Sequence, residues 1–393
     1  MRAVIILIIL CSWLGDASLS GPSMRVAGRV SYRVHFENGL VSSLKNKLRR
    51  GKTAVDEDGD GDDEELDNGN GYGADDNNGG ATTAKLHPLV DSATLVLTRL
   101  VTGAKSKFVQ TSVAPIHVLD IQGSGDLPPI VLLHGITSCA TDFAPLANDL
   151  RGKYSRILAI DLLGHGLTPL PPSQGLPKFN WMTTAVGEVL DDLLPGKKAT
   201  LLGNSMGGLV AMRTALERPD KVNGLFLISP AGGPLDKREI KKLSGIFRIK
   251  THSEGKDFIK RMHGQEPNAG LLNVMAWVAR GRVARNEVKQ IFASIRPENF
   301  MTAQECGKIN VPCALFWGGD ERVLPDNHLS FFRQNLPGVS VCNPPEFGHV
   351  PQNDDWRFVS QRCAEFSSAL RGVDVVGSWL NPGLSKESAP NMP

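Results

Sequence analysis

The chain lacks net charge, a disulfide framework and any second long apolar run, and each shortage removes a class of protein. Its 43 Lys and Arg residues stand against 41 Asp and Glu, a formal net charge of +2 over 393 residues. Nothing in that balance marks a nucleic-acid binder. Of 6 cysteines, Cys11 lies in an N-terminal apolar run, leaving Cys139, Cys306, Cys313, Cys342 and Cys363, an odd set without motif spacing. Isolated cysteines on apolar segments read as small buried hydrophobes. The sequence has no His-x-x-x-His pattern and no glycine-rich phosphate loop, so neither metal nor organic cofactor is expected. Beyond the first apolar run no segment approaches the roughly 20 apolar residues that span a bilayer.

That first run is present at the very start. Met1 and Arg2 precede an apolar stretch from residue 3 to 14, followed by the small residues Ala17, Ser18 and Ser20. This is a signal-peptide layout, with residues 1–20 expected to be removed on entry to a secretory route. An uncleaved membrane anchor is the alternative. Residues 21–55 are rich in Arg, Lys and Ser with Glu37 as their sole acid, which reads as a linker or as a second targeting element that sends the protein to an organelle. Residues 56–80 are almost entirely Asp, Glu, Gly and Asn, a composition expected to stay disordered. Asp56, Asp58, Asp60 and Gly61 echo the start of an EF-hand loop, but Asp67 stands where the loop needs Glu and Asp63 where it needs an apolar residue. At most weak, transient cation binding follows. One folded domain is expected over residues 82–371, with 21–81 as linker and 372–393 as a C-terminal tail.

Within that domain, short apolar runs bounded by turn residues are spaced to leave a helix between most of them. Residues 92–101 and 116–121 are expected as the first strands, followed by 130–133, 156–160, 199–202, 225–229, 311–316 and 339–341. Such alternation implies a mostly parallel sheet covered on both faces. The alternation breaks over residues 231–298, where a helical insertion is expected with helices near 237–243, 255–263 and 271–278. Its cations, among them Lys241, Lys242, Lys260, Arg261, Arg280 and Arg282, read as a solvated face, or as a lure for an anionic ligand.

The chemistry concentrates at Gly203-Asn204-Ser205-Met206-Gly207, directly after the apolar run 199–202. A serine between two glycines at the end of a strand reads as a nucleophile elbow, in which Gly203 and Gly207 make room for a turn too tight for any Cβ. Its company arrives in mechanistic order: the acidic pair Asp320-Glu321 follows one apolar run and His349 follows another, while upstream an apolar run ends in His134-Gly135. A serine hydroxyl needs a base, and His349 is the candidate by position.

These segments, together with residues 161–166 and 317–325, resemble the α/β-hydrolase superfamily from about residue 115 to 370. The resemblance implies an eight-stranded, mostly parallel sheet with flanking helices and a cap at the insertion. It places the acid four residues before Pro325, at Glu321, with the neighbouring Asp320 as the alternative. Backbone N–H groups of Ile136 and Met206 would form the oxyanion hole, with their side chains, Thr137 and Phe143 lining an acyl pocket. His134 and His165 would shape loops. A serine, rather than an aspartate, at the elbow argues against epoxide opening or halide displacement. The implied activity is hydrolysis of a carboxylic ester or related acyl bond through an acyl-enzyme on Ser205, on a small-molecule acyl substrate. Asn204-Ser205-Met206 and Arg322-Val323-Leu324-Pro325 also resemble carbon–carbon bond hydrolases of vinylogous diketones, and a non-catalytic ligand-binding scaffold is the third reading.

Overall fold

The apolar runs form strands buried on both faces. In the computed structural model, which describes residues 87–172 and 175–372, Ile130 to Leu133 are all fully buried. The strands are β1 (Lys105–Gln110), β2 (Pro115–Gln122), β3 (Ile130–Leu133), β4 (Arg156–Ile160), β5 (Ala199–Asn204), β6 (Val222–Ile228), β7 (Cys313–Phe316) and β8 (Ser340–Cys342). They join in one sheet of order β1-β2-β4-β3-β5-β6-β7-β8. β1 and β2 are antiparallel, as are β2 and β4, and all other neighbours are parallel. Because side chains alternate along a strand, Val131 and Leu133 enter one core, and Ile130 and Leu132 the other. Register aligns Leu133 with Gly203, Gly203 with Leu227, and Ile228 with Phe316. The loops leaving β3, β5, β6 and β7 therefore meet at one edge, the carboxyl end where open α/β sheets place their sites.

The expected first strand at 92–101 is instead a helix, α1 (His87–Thr102). Its Val and Thr content suits a strand, but Thr98 and Thr102 donate their hydroxyls to the carbonyls of Thr94 and Thr98, at 2.8 and 2.6 Å, and both are buried on one helical face. The edge strand is the more polar β1, in which Lys105, Phe108 and Gln110 are exposed and only Val109 is buried. α2 (Ala144–Leu150) and α12 (Trp356–Ala369) pack on one side of the sheet, α3 (Asn180–Leu193) and α4 (Met206–Glu217) on the other.

Between β6 and β7 lie α5 (Lys237–Ile246), α6 (His252–Met262), α7 (Ala269–Ala284), α8 (Asn286–Ser294) and the short α9 (Ala303–Gly307). The sequence starts these helices itself. Asp236 and Glu239 form a reciprocal capping box at α5, Thr251 and Glu254 another at α6, and the Asn268 side chain caps α7. Phe247, Phe258, Ile259 and Leu272 make a small core of their own, against which Ile136 and Val323 of the sheet-edge loops pack. After β7 follow α10 (Asn327–Asn335) and α11 (Pro351–Asp354). The five cysteines of the described residues are free, and no helix there is long and apolar enough to cross a membrane. The expectations for residues 1–81, and for all of the tail but its first residue, lie outside the described residues.

Candidate active site

Ser205 stands where β5 ends and α4 begins, at φ 52° and ψ −119°. A positive φ is strained for a serine, and it persists because its surroundings dictate it. A Cβ on Gly203 would lie 2.4 Å from the Gly207 carbonyl oxygen, and one on Gly207 would lie 2.1 Å from that of Leu133. The two glycines thus let strand and helix close on each other. Gly208 and Ala231 donate their N–H groups to the Ser205 carbonyl, each at 2.9 Å. Met206, the first helical residue, carries one of the N–H groups that a helix leaves without an internal partner.

Opposite the elbow, His349 and Glu321 pair at 2.7 Å between Nδ1 and Oε2, with side chains 1% and 4% exposed. Oε1 of the same carboxylate accepts the N–H groups of Val323 and Leu324, at 2.8 and 3.1 Å. Burial pushes the Glu321 carboxyl up, but the imidazole and the two N–H donors outweigh it and hold the group below its ordinary range. Asp320 is not part of this pair. Its side chain is 43% exposed and meets Arg322 at 3.1 Å. Asn204 ties the elbow to the histidine loop, donating from Nδ2 to the carbonyls of His349 and Ile228 at 3.1 and 3.2 Å.

The turn after β3 completes the edge. The His134 ring donates from Nδ1 to the Gly135 carbonyl and accepts the Leu162 N–H at Nε2, while His165 accepts the Thr137 N–H at 3.2 Å. Burial depresses both imidazoles, His165 to about 3, so they act as neutral struts for the loop carrying Ile136. Ile136, Met206 and Ser205 all border one cavity, about 730 Å³ with its open mouth included. Phe179, Leu209, Leu243, Phe247, Ile291 and Phe300 supply much of its apolar wall. Two expected wall residues lie elsewhere: Phe143 is buried in the core among Leu146 and Ala147, and Thr137 is turned into the loop at φ 66°. The insertion also grips the histidine loop. The His349 and Val350 N–H groups donate to Met262 O at 2.8 and 3.2 Å, and His263 pairs with Asp354, whose carboxylate accepts the Gly348 N–H. No sequence motif announced that contact.

A second Ser–His–carboxylate chain starts on β1 and β2, beyond β3 and β4 from the elbow strand. Ser106 lies 2.8 Å from His117 Nε2, and His117 Nδ1 lies 2.7 Å from Asp161 Oδ2. Asp161 also accepts the N–H groups of Ala140 and Leu167, at 2.6 and 3.0 Å, and a Cβ on Gly166 would strike it at 2.1 Å. This chain knots β2 to two loops.

A sheet of this order, with a strained serine after its central strand and a histidine–carboxylate pair delivered by later loops, defines an α/β-hydrolase. The chain belongs to the family described as serine aminopeptidase, S33, whose model matches residues 128–354. It is 26% identical over 290 residues to the carboxylesterase nap of Bacillus subtilis strain 168, spanning 68% of this chain and 88% of that protein. An sn-1-specific diacylglycerol lipase of Mus musculus is 36% identical over 256 residues, spanning 61% of this chain and 81% of the relative. The crystal structure of a membrane phospholipase A superposes with a TM-score of 0.63 at 24% identity, covering 75% of this chain and 96% of that one.

Proposed function

We propose that the protein hydrolyses esters of apolar acyl groups through an acyl-enzyme on Ser205. The observation that carries this reading is the strained serine at the wall of an apolar cavity, on the same sheet edge as the His349–Glu321 pair. His349 takes the serine proton as the carbonyl is attacked and returns it to the leaving alcohol. Glu321 orients the imidazole and stabilises its charged form. The N–H groups of Met206 and Ile136 receive the developing oxyanion, a contribution of about 2.7–4 kcal/mol per donor. Water then repeats the cycle on the acyl-enzyme. No Asp or Glu occurs among the described residues lining the cavity, so the site has no carboxylate to receive a peptide's amino terminus, and an ester suits it better than an aminopeptidase substrate.

The insertion is the cap of this site. Leu243 and Phe247 of the α5 region, with Ile291 and Phe292 of α8, limit the acyl chain that fits. The secretory leader at residues 1–20 belongs to the same reading, and N-terminal sequencing of the mature protein tests it: an intact Met1 would refute cleavage. The activity is tested with p-nitrophenyl esters of increasing acyl length on wild type beside Ser205→Ala. Turnover that rises with apolar chain length to a limit and vanishes in the variant is expected. Equal turnover by the two proteins would refute the mechanism.

A further inference from the structure

Among the cations of the insertion, Arg282 departs from the solvated face expected of it. Its guanidinium grips Asp142 with both nitrogens, Nη1 to Oδ2 at 2.6 Å and Nη2 to Oδ1 at 3.0 Å, and Nη2 also lies 3.1 Å from Cys139 Sγ. The two side chains are only 17% and 28% exposed, and Asp91 of α1 approaches the same nitrogen at 4.0 Å. Planar, two-point contact of this kind fixes orientation as well as distance.

What Asp142 holds gives the contact its meaning. Its carboxylate accepts the Ser138 hydroxyl at 2.7 Å and the Cys139 N–H at 3.3 Å. Ser138 in turn donates its N–H to the Gly135 carbonyl at 3.2 Å, closing the turn in which Ile136 sits. A continuous chain of polar contacts therefore runs from α7 of the insertion, through Asp142, to the turn that presents the Ile136 N–H beside Ser205. The same turn touches the insertion a second time, where the Ile136 side chain packs against the Phe247–Phe258 core.

We propose that Arg282 is a positioning residue: it fixes the oxyanion-binding turn relative to the elbow, so that the insertion controls the chemical step as well as the shape of the pocket. The proposal rests on the ester reading above. Arg282 is not among the described residues that line the cavity, so its loss should spare ground-state binding and reduce transition-state stabilisation.

The test compares wild type, Arg282→Met and Arg282→Lys in the full chain with p-nitrophenyl butyrate, and measures binding of n-butylboronic acid, which forms a tetrahedral adduct on the serine. Loss of one oxyanion donor costs roughly 100-fold or more in kcat, and misplacement a comparable factor, so Arg282→Met should lower kcat by about 30-fold with KM within about threefold. Boronate affinity should fall in parallel. Arg282→Lys keeps the charge but loses the fork, and should keep its melting temperature while losing about tenfold in kcat. If Arg282→Met fails to fold, the lysine variant carries the test. Unchanged kcat and boronate affinity in a folded variant would overturn the proposal, as would a rise confined to KM. Absence of wild-type ester turnover would sink the ester reading alone, and boronate affinity would still report on Arg282.

Discussion

Two of the buried His–carboxylate pairs, each with a serine nearby, are by local geometry hard to tell apart. His349–Glu321 and His117–Asp161 are both 2.7 Å pairs through Nδ1, and all four side chains are at most 4% exposed. Each has a serine in its neighbourhood. They differ in everything around the pair. Ser106 lies within the regular β1–β2 ladder, opposite Leu119, whereas Ser205 is held at positive φ on a turn and borders a cavity. Asp161 spends its remaining acceptor capacity on the backbone of two loops, Ala140 and Leu167, while Glu321 spends its own on the loop it belongs to. One pair ties strands and loops together, and the other is the pair proposed above to orient the catalytic imidazole. A histidine–carboxylate pair is therefore weak grounds for catalysis until the nucleophile's backbone and the adjoining cavity are known.

The comparison can be broken at its strongest point first. Ser205→Ala should reduce ester turnover by roughly 10⁴-fold or more, whereas Ser106→Ala should stay within about twofold of wild type. A fluorophosphonate probe followed by peptide mass spectrometry should mark Ser205 alone, and a label on Ser106 would erase the distinction drawn here. Glu321→Gln should cost roughly 10²–10⁴ in kcat, because the amide no longer stabilises the protonated imidazole. Asp320→Asn should change kcat by less than about threefold, its partner being the exposed Arg322.

Stability should invert that order. Asp161→Asn leaves His117 and two loop N–H groups with a poorer acceptor, so its cost should be about 2–4 kcal/mol by urea titration, larger than that of Ser205→Ala. The smallest effect concerns pH. For Asp161 too, burial pushes the carboxyl up and His117 with its other donors more than offsets this, leaving it below the ordinary range. A carboxylate depressed in the folded state stabilises the fold above its unfolded value and loses that contribution as pH falls toward its folded value. Wild-type melting temperature should therefore drop as pH is lowered through about 4, and Asp161→Asn should show a shallower slope. An equal slope in both would mean that Asp161 carries no such linkage.

The sheet edge was largely legible because its signals are short-range. Gly203 is required by its contact with Gly207 a few residues on, the G-x-S-x-G spacing carries Gly207 with it although its own close contact is with Leu133 of β3, and the fully apolar runs report burial on both faces. The helical insertion was legible from the break in alternation over residues 231–298, and its capping pairs Asp236/Glu239 and Thr251/Glu254 are likewise local in sequence. Residues 92–101 misled because Val and Thr suit a strand by composition, while α1 is set by the face it packs on the core, where Leu95, Thr98 and Thr102 fall at helical spacing. Phe143 misled because nearness in sequence to the oxyanion turn says nothing of which side of the sheet a ring enters.

The sequence by itself determined the order of strand, elbow, acid and histidine, and the local turns that make each possible. Only the tertiary structure decided that Glu321 rather than Asp320 meets His349, that Arg282 is a clamp rather than a solvated cation, and that His117 is a strut. The reason is range. Backbone strain and helix capping are settled among residues a few positions apart, whereas these pairings join side chains 28, 140 and 44 residues apart. Their partners are chosen by how separate loops and helices pack.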